Sequence, residues 1–443
     1  MAGIFKAYDI RGIYNETLTD DLAYRIGRAY ATWLKPRTIV LGRDIRPHSD
    51  PLAAALTAGL IEHGVEVLDL GLCSTPMSYH ANGACKADGS IMITASHNPR
   101  EWNGFKLCRA AAVPVSGVTG IAEIERIVAS EAFDPPTGRP GRTRPLDIRE
   151  DYRRFVRSAA RIRRPLRVAL DFANAMGIWE AEAFDGLFEQ VRLFDTPDGA
   201  FPNHEANPLD VRTLATLQET VRRERCDFGV AFDGDADRAG FVDEQGRVVP
   251  MDMITALIAQ STLERHPGAV IFYDLRSSRA VRETIEVGGG RPMMSRVGHA
   301  FIKAQMRELD AAFAGELSGH YYFRENFYTE SSALAVVHVA NLVSAADVPL
   351  SELIRPFQRY SASGEINSRV ADVEAVFRRL EAAFPDGRVV RLDGLTIEYP
   401  DWWFNVRASN TEPLVRLNLE AATREEMERR RDQVLALIRS GGA

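Results

Sequence analysis

Residues 90–99 read SIMITASHNP, a short apolar run that passes directly into a polar loop. A run of this length is typical of a buried strand. Pro99 disfavours helical backbone at Asn98, so the strand is followed by a loop. Most loop serines are turn residues or helix caps. Ser96, however, lies past the carboxyl end of a strand, where open α/β sheets bind their ligands, and is a candidate nucleophile.

A second junction between a strand and a loop carries acidic residues. Residues 228–232 form an apolar run, and DGDADR follows at 233–238. The motif places three aspartates at alternate positions: Asp233, Asp235 and Asp237. Carboxylate oxygens are preferred ligands of Mg²⁺. The alternative is a Ca²⁺ loop between helices, for which Glu244 stands at the required twelfth position. The preceding apolar strand and the hairpin pattern of residues 241–249 favour Mg²⁺.

Strand-like and helix-like segments alternate through most of the chain. Apolar runs typical of strands lie at residues 38–42, 65–70, 90–94, 166–172, 228–233 and 268–274. Residues 51–63 have leucines at helical spacing. This alternation predicts doubly wound α/β units with mainly parallel sheets. The proline-rich segment 134–145 and the small, polar segment 361–365 have the composition of linkers, and residues 366–443 have an α+β pattern.

The composition is that of a globular protein with an acidic surface. The 443 residues carry a formal net charge of −7, which argues against a nucleic-acid partner. No apolar run approaches the ~20 residues of a membrane span, and no signal-peptide core follows residues 1–6. We therefore expect a cytoplasmic location with no membrane partner. The four cysteines include no C-x-x-C pair, and we expect them to be reduced.

Three further motifs complete a pattern with these two loops. They read KAYDIRGIY at residues 6–14, GELSGH at 315–320 and RASNTEP at 407–413. With all five motifs, the chain resembles the α-D-phosphohexomutase superfamily, most closely its bacterial phosphomannomutase/phosphoglucomutase branch. The resemblance implies three doubly wound α/β domains with mixed sheets and a C-terminal α+β domain around a central active-site cleft. The domains are expected at residues 1–145, 146–250, 251–362 and 363–443.

The resemblance also implies an activity. A phosphohexomutase interconverts hexose 6-phosphate and hexose 1-phosphate, here of mannose or glucose. Ser96 would carry a phosphoryl group and exchange it with the sugar through a hexose 1,6-bisphosphate, which is intermediate and activator. Mg²⁺ would be held by a phosphoryl oxygen on Ser96 and by Asp233, Asp235 and Asp237. The protein is expected to be a monomer or a weak dimer.

Other functions remain open on the same motifs. One is a phosphoglucosamine mutase or a bisphosphate synthase, and Leu317 argues against the first because glucosamine mutases typically have Gln there. Another is a non-catalytic sugar-phosphate-binding protein on the same fold, which the retained Ser96 and aspartates disfavour. A metal-dependent phosphatase would need the nucleophile and the metal but no second phosphate site.

The resemblance assigns roles to individual residues that, taken alone, lie in ordinary turns, hairpin loops and charged surfaces. Besides Ser96, four residues are expected to be catalytic: Arg11, Lys106, Arg238 and His299. Twelve residues are expected to bind the sugar or its phosphate: Tyr14, Arg276, Glu316, Leu317, Ser318, Gly319, His320, Arg407, Ala408, Ser409, Asn410 and Thr411. The chain also departs from the family pattern. Arg276 replaces a usual Lys, Ala173 replaces a usual Gly, and Glu330-Ser331-Ser332 replaces an acidic residue followed by Gly.

Overall fold

The computed structural model describes residues 3–408 and 414–440 of the chain. These residues form four sheets, each built from a continuous part of the chain and accompanied by helices. The first three sheets mix parallel and antiparallel pairs. The fourth pairs only antiparallel strands within the described residues. The predicted fold class, three α/β units followed by an α+β unit, is therefore confirmed.

The first unit contains the strand that leads to Ser96. Its strands are β1 (Ile10–Ile13), β2 (Thr38–Arg43), β3 (Glu66–Leu72), β4 (Gly89–Ile93), β5 (Trp102–Arg109), β6 (Val113–Pro114) and β7 (Arg142–Pro145). Its helices are α1 (Asp20–Leu34), α2 (Ser49–Ile61), α3 (Thr75–Ala84) and α4 (Ile121–Ser130). The strand order is β1-β5-β4-β2-β3-β7, and β6 pairs with β5. Strand β7 pairs with β3, so the end of the segment 134–145 is an edge strand and not a linker.

The second unit contains the acidic motif. Its helices are α5 (Arg149–Ser158), α6 (Gly177–Ala181) and α7 (Ala215–Glu224). Its strands are β8 (Arg167–Asp171), β9 (Glu189–Leu193), β10 (Phe228–Phe232), β11 (Ala239–Asp243) and β12 (Val248–Val249), in the order β12-β11-β10-β8-β9. Strands β11 and β12 pair antiparallel, which confirms the hairpin predicted after the aspartates and excludes the helix that a Ca²⁺ loop of that type requires.

The third unit contains the GELSGH motif. Its strands are β13 (Val270–Asp274), β14 (Arg291–Ser295), β15 (Phe313–Gly315), β16 (Tyr321–Phe323) and β17 (Thr329–Glu330), in the order β14-β13-β15-β16-β17. Its helices are α8 (Met251–Arg265), α9 (Arg279–Val287), α10 (His299–Glu308), α11 (Ser332–Ala345) and α12 (Leu350–Ile354).

The fourth unit is smaller. Its strands are β18 (Ser361–Ala362), β19 (Ile366–Arg369), β20 (Arg388–Val390), β21 (Leu395–Glu398), β22 (Trp402–Ala408) and β23 (Leu414–Ala421). Its helices are α13 (Val373–Ala383) and α14 (Arg424–Arg439). The strand order is β18-β23-β22-β21-β20, and β19 also pairs with β23. Residues 361–362 therefore pair with the fourth sheet. Three predicted phosphate-site residues, Ser409, Asn410 and Thr411, lie outside the described residues.

The three motifs of the α/β units occupy the same topological position. In each unit the motif follows a strand with parallel neighbours and joins it to an antiparallel strand: β4 to β5, β10 to β11, and β15 to β16. Each motif therefore lies at the carboxyl edge of a sheet, where ligands bind in folds of this class. One hydrophobic core spans the second and third units, which fixes their two loops relative to each other.

Helices α8 and α11 contribute many buried side chains to that shared core. Among the described residues, no single helix is long and apolar enough to cross a membrane. The bent pair formed by Ser332–Ala345 and Leu350–Phe357 passes the same test by length and composition.

A buried carboxyl joins the first three units. Glu180 on α6 accepts hydrogen bonds from Ser74 Oγ, which caps α3, and from Tyr152 OH on α5 at 2.8 Å. Tyr152 OH lies 3.4 Å from Ser331 Oγ, which caps α11. Burial raises the pKa of the Glu180 carboxyl to about 7, and the bonds from Ser74 and Tyr152 only partly oppose this rise.

We expect Glu180→Gln to remove a pH dependence of stability. Because the pKa is higher in the folded state, the folded protein binds more protons than the unfolded chain between about pH 4.5 and pH 7. The stability that Glu180 contributes is fully present below this window, and about 3 kcal/mol of it is lost as the pH rises through it. Between about pH 5 and pH 8, the Tm of the wild type should therefore fall by about 3 °C relative to the variant.

Thermal unfolding of the wild type and of Glu180→Gln at both pH values tests this expectation. The other titrating groups are the same in the two proteins, so their contributions cancel in the difference in Tm. Glu150→Gln, at an exposed position of α5, is the matched control. An equal change in Tm for wild type and Glu180→Gln would contradict the expectation.

Candidate active site

The Ser96 loop, residues 94–101, joins β4 to β5. Ser96 is buried, and its backbone is left-handed with a φ of 52°, which is uncommon for a residue other than glycine. Its backbone N–H donates to Thr94 Oγ1 at 2.9 Å. Its hydroxyl donates to Asp233 Oδ2 at 2.6 Å and lies 3.2 Å from His97 Nδ1. The strained turn thus holds the Ser96 hydroxyl against the acidic residues of the second unit.

Arg46 fixes the shape of the Ser96 loop by donating hydrogen bonds to its carbonyl oxygens. Its fully buried guanidinium donates to the carbonyl oxygens of Ser96 at 2.8 Å, Asn98 at 2.6 Å and Pro99 at 2.7 Å. Asp44 accepts a hydrogen bond from Arg46 Nε at 3.1 Å and neutralises its charge. No motif in the sequence points to Arg46. The only signal in the sequence is that Asp-Ile-Arg follows the carboxyl end of a buried strand.

The acidic loop, residues 233–238, brings its three aspartates together. One carboxylate oxygen from each of them lies within 4.8 Å of the others: Asp233, Asp235 and Asp237. All three side chains are buried. Gly234 allows the loop to approach Ser96, because a Cβ at this position would lie 2.2 Å from the Ser96 carbonyl oxygen.

The electrostatic surroundings of the aspartates differ. Burial raises the pKa of Asp233 well above its ordinary value, and the charges of Asp237 and Asp235 raise it further. Burial also acts to raise the pKa of Asp237, but Lys106 and His320 hold it well below its ordinary value. Lys106 Nζ lies 2.6 Å from Asp235 Oδ2 and also contacts Asp237 Oδ2.

The donor set of this cluster fits a hard divalent cation. Oδ1 of Asp235 and Oδ1 of Asp237 are buried and have no hydrogen-bond partner among the described residues. Such oxygens are costly to bury unless a donor or a cation satisfies them. Together with Asp233 and the Ser96 hydroxyl, they form an all-oxygen set of the kind that Mg²⁺ prefers.

Two further cations border the Ser96 loop. Arg11 Nη1 donates to Asn98 Oδ1 at 2.6 Å, and Arg11 Nε donates to Asp9 Oδ2 at 2.7 Å. Arg238 Nε lies 3.7 Å from Asp233 Oδ2 and donates to His320 Nε2 at 3.2 Å. Arg11 and Arg238 therefore border the Ser96 loop and the acidic loop from different parts of the chain, and Lys106 on β5 pairs with two of the aspartates.

The GELSGH loop, residues 315–320, faces the acidic loop. His320 Nδ1 lies 2.8 Å from Ser318 Oγ, and His320 Nε2 lies 3.3 Å from Asp237 Oδ1. Tyr322 OH donates to Glu316, whose carboxylate is buried. Gly319 has a φ of 84°, so the turn needs a residue that tolerates left-handed backbone.

Asp274 connects this loop to Arg276. Leu317 N–H donates to Asp274 Oδ2 at 2.8 Å, and Arg276 Nη2 donates to the same oxygen at 2.7 Å. Arg276 Nη2 also lies 3.9 Å from Glu316 Oε2. The Asp274 carboxylate therefore holds two of the predicted sugar-binding residues, Arg276 and Leu317, and no motif in the sequence points to it.

Arg407 in the fourth unit lies close to Arg276 of the third unit, because both approach Glu365. Its guanidinium is buried, and Arg407 Nη2 donates to Glu365 Oε2 at 3.0 Å. Arg276 Nη1 lies 3.9 Å from the same oxygen, and Arg416 Nη1 donates to Glu365 Oε1 at 3.2 Å. Ala408 ends β22 and is exposed. Glu365, between β18 and β19 of the fourth unit, thus contacts cations from both units.

The ring and hydroxyl contacts of Tyr14 with described residues lie in the first unit. Its ring stacks on His48 with centroids 4.8 Å apart, and its hydroxyl donates to Asp20 Oδ1 at 3.1 Å. His48 Nε2 lies 2.9 Å from the Arg100 carbonyl oxygen, so Tyr14 borders the end of the Ser96 loop.

The comparisons with known proteins agree with the fold, in which three α/β units precede a fourth unit. Four models of phosphoglucomutase/phosphomannomutase domains match the chain in order: domain I at residues 2–135, domain II at 150–246, domain III at 250–360 and the C-terminal domain at 365–437. The chain belongs to the phosphoglucomutase/phosphomannomutase family. A member of this family is a phosphohexose mutase, so the chain is an enzyme of that class.

Relatives match the chain over nearly its whole length. A phosphomannomutase of Salmonella montevideo is 40% identical over 450 residues, which cover 98% of this chain and 99% of the relative. A phosphomannomutase of Methanocaldococcus jannaschii is 40% identical and covers 98% of this chain and 97% of its own. The crystal structure of a phosphoglucomutase/phosphomannomutase family protein from Burkholderia thailandensis superposes with a TM-score of 0.91 at 32% identity, over 99% of this chain and 97% of that one.

One departure from the family pattern has a structural consequence. Ala173, at a position where the resemblance implies Gly, has a left-handed φ of 47°. The local backbone therefore keeps the conformation that suits Gly, at a modest cost in strain. Arg276 keeps the positive charge of the usual Lys but is paired with Asp274.

Proposed function

We propose that the protein interconverts the 6-phosphates and 1-phosphates of mannose and glucose through a phosphorylated Ser96 and a hexose 1,6-bisphosphate. The observation that carries this proposal is the Ser96 hydroxyl, which is buried and held 2.6 Å from Asp233 Oδ2, in a loop that Arg11 contacts at Asn98 and beside an aspartate that Arg238 approaches to 3.7 Å. A hydroxyl in this setting suits phosphoryl transfer, in which positioning and charge stabilisation supply most of the catalysis.

Ser96 acts as the carrier of the phosphoryl group. A free hydroxyl of the bound sugar attacks the phosphorus, and the new O–P bond forms as the bond from phosphorus to Ser96 Oγ breaks. The sugar loses the hydroxyl proton that Ser96 Oγ finally gains, so no other reactant is consumed. The bisphosphate then turns end for end, and its other phosphoryl group returns to Ser96.

The residues around Ser96 stabilise the charge that is transferred. Arg11 and Arg238 donate hydrogen bonds to phosphoryl oxygens, and Lys106 adds a point charge between the acidic loop and the phosphoryl group. Asp233, Asp235 and Asp237 would hold Mg²⁺ together with an oxygen on Ser96. When bound, Mg²⁺ supplies charge neutralisation at the phosphoryl group.

The sugar and its second phosphate are bound by the other two units. Glu316 and Ser318 accept hydrogen bonds from adjacent sugar hydroxyls, and the Leu317 side chain offers no acceptor to a sugar amino group. Arg407, with the loop that follows Ala408, binds the phosphate that is not being transferred. Each end of the hexose then uses the Arg407 site in one half-reaction.

A coupled assay tests the proposed function. With trace hexose 1,6-bisphosphate, the protein should convert mannose 1-phosphate and glucose 1-phosphate to the 6-phosphates, with kcat/KM at least about 10-fold above that for glucosamine 1-phosphate. Faster turnover of the glucosamine ester would assign the protein to the glucosamine mutases. Binding without turnover of any ester would indicate a sugar-phosphate-binding protein.

We expect Arg407→Ala to lower kcat/KM by about 10-fold to 100-fold for both the 1-phosphates and the 6-phosphates. The loss corresponds to one charge-assisted contact of about 1.5–3 kcal/mol. Phosphorylation of Ser96 should be unchanged, which intact-mass measurement can show. Arg388→Ala, at an exposed position of the same sheet, is the control. Unchanged kcat/KM for both substrates would show that Arg407 is only structural.

A further inference from the structure

A cavity lies between the second and third units and is separate from the candidate active site. Its volume is about 590 Å³, which is in the range of cavities that hold small molecules. Its wall is formed by the chain around the end of α5, the end of α8, the turn after β16 and one face of α11. None of the predicted site residues that the structure describes lies on this wall. His299, which begins α10, instead has its Nδ1 3.8 Å from Glu330 Oε1.

The chain that follows α5 is fixed against α11. The backbone N–H of Arg161 donates to Asn341 Oδ1 at 2.5 Å, and Asn341 Nδ2 donates to the Ala159 carbonyl oxygen at 2.8 Å. The backbone N–H of Arg163 donates to Ser344 Oγ at 3.1 Å. This part of the wall is therefore formed before any ligand binds, which lowers the entropic cost of binding.

The cavity wall carries a positive charge. Four of its residues are arginines: Arg161, Arg163, Arg265 and Arg324. Two carboxylates, Glu264 and Glu325, lie on the same wall, so four positive and two negative charges leave +2, in a chain with a formal net charge of −7.

Three of these guanidinium groups are available to an anion. Among the described residues, only Arg324 of the four has a carboxylate within 4.0 Å, which is Asp310 at 3.2 Å. Arg161 Nη1 and Arg265 Nε donate to backbone carbonyl oxygens of their own turns, and the side chains are exposed. Guanidinium groups that no carboxylate neutralises are well suited to bind phosphate groups through paired hydrogen bonds.

Along α11, the cavity wall combines apolar side chains with one unpaired imidazole. Leu334 and Leu342 lie on the wall together with His338. His338 is 4% exposed, and its Nε2 is buried and has no hydrogen-bond partner among the described residues. Burial, together with the charge of Arg265, lowers the pKa of His338 to about 3, so the ring is neutral near pH 7. A buried imidazole nitrogen without a partner is costly unless a ligand or water satisfies it.

We propose that this cavity binds a nucleoside diphosphate. The ligand that fits combines several negative charges with a flat body that has apolar faces and a polar edge. Arg161, Arg163 and Arg265 bind the two phosphate groups, the leucines of α11 pack against the base, and His338 forms a hydrogen bond with its edge. An inorganic anion would use only the charge of this wall, and an uncharged nucleoside only its apolar part.

Isothermal titration calorimetry with ADP, GDP, CDP and UDP tests this proposal. One equivalent of at least one of them should bind the wild type with a Kd below about 100 µM, and at least about 10-fold more tightly than pyrophosphate or the matching nucleoside. Arg163→Ala and Arg265→Ala should each weaken this binding by about 10-fold or more, because each removes one charge-assisted contact. Both variants should keep the wild-type Tm, since both side chains are exposed.

Arg154→Ala is the matched control. Arg154 is an exposed arginine on α5 that pairs with Asp151 and does not lie on the cavity wall, so its removal changes the net charge equally. The control should bind the nucleotide as the wild type does.

Four results would overturn the inference. One is that none of the four nucleotides binds at about 1 mM, and another is that pyrophosphate binds as tightly as they do. A third is that Arg163→Ala and Arg265→Ala leave the affinity unchanged, which would assign the nucleotide to the cations of the candidate active site. The fourth is that Arg154→Ala weakens binding as much as they do. A wild-type protein without mutase activity would contradict the proposed function and not this inference.

Discussion

Ser96→Ala is expected to lower kcat by at least about 10³-fold and to abolish phosphorylation of the protein. The reason is chemical: without Oγ, no group in the loop can carry the phosphoryl group, and the remaining cations can only bind the substrate. Intact-mass measurement of the purified wild type should show a fraction heavier by one phosphate, which peptide mapping places at Ser96. The variant should lack this fraction.

The structure also predicts that this variant stays folded. The Ser96 backbone is held by Arg46 and Thr94, and neither contact involves the Ser96 side chain as donor or acceptor. Ser90→Ala is the matched control, because Ser90 is a buried serine on β4 that contacts Asn82 and not the acidic loop. If Ser96→Ala kept full activity with an unchanged Tm, Ser96 would not be the carrier.

The features that the sequence predicts well are those with a local pattern. The strand predicted at residues 90–94 is Gly89–Ile93, and the one predicted at 228–233 is Phe228–Phe232. Each prediction depends on a few adjacent apolar residues and on the polar loop that follows them. Since both loops end parallel strands, their position at one edge of each sheet was also predictable.

The residues that hold the site in place are harder to predict, because their contacts join positions far apart in the sequence. Arg46 contacts Ser96 across 50 residues, and Arg407 contacts Glu365 across 42. In the sequence each of these is one charged residue among many, and only the folded chain shows that it is buried and which partner it has. The strand at Arg142–Pro145 is difficult to predict for another reason. Its composition is that of a linker, but pairing with β3 makes it a strand.

The second large effect is expected on removal of the metal. Asp235 and Asp237 each have a buried oxygen without a hydrogen-bond donor among the described residues, and the Ser96 hydroxyl lies against the third carboxylate. A phosphoryl group on Ser96 would add negative charge to this cluster. A divalent cation offsets that charge, which is worth several kcal/mol at the transition state. Excess EDTA should therefore lower kcat by at least about 10³-fold, and added Mg²⁺ should restore it.

Asp235→Asn distinguishes loss of the metal site from loss of the fold. The amide keeps the shape of the side chain and the contact with Thr75 Oγ1, which lies 2.5 Å from Asp235 Oδ2. The variant should keep its Tm but bind Mn²⁺, followed by electron paramagnetic resonance, at least about 10-fold more weakly than the wild type, because it removes one charged oxygen ligand. Asp210→Asn, in a turn of the same unit where Asp210 pairs with Arg212, should bind Mn²⁺ normally. Full turnover in EDTA, or unchanged Mn²⁺ affinity of Asp235→Asn, would mean that Lys106 alone balances the charge of the aspartates, since its amine already lies 2.6 Å from Asp235 Oδ2.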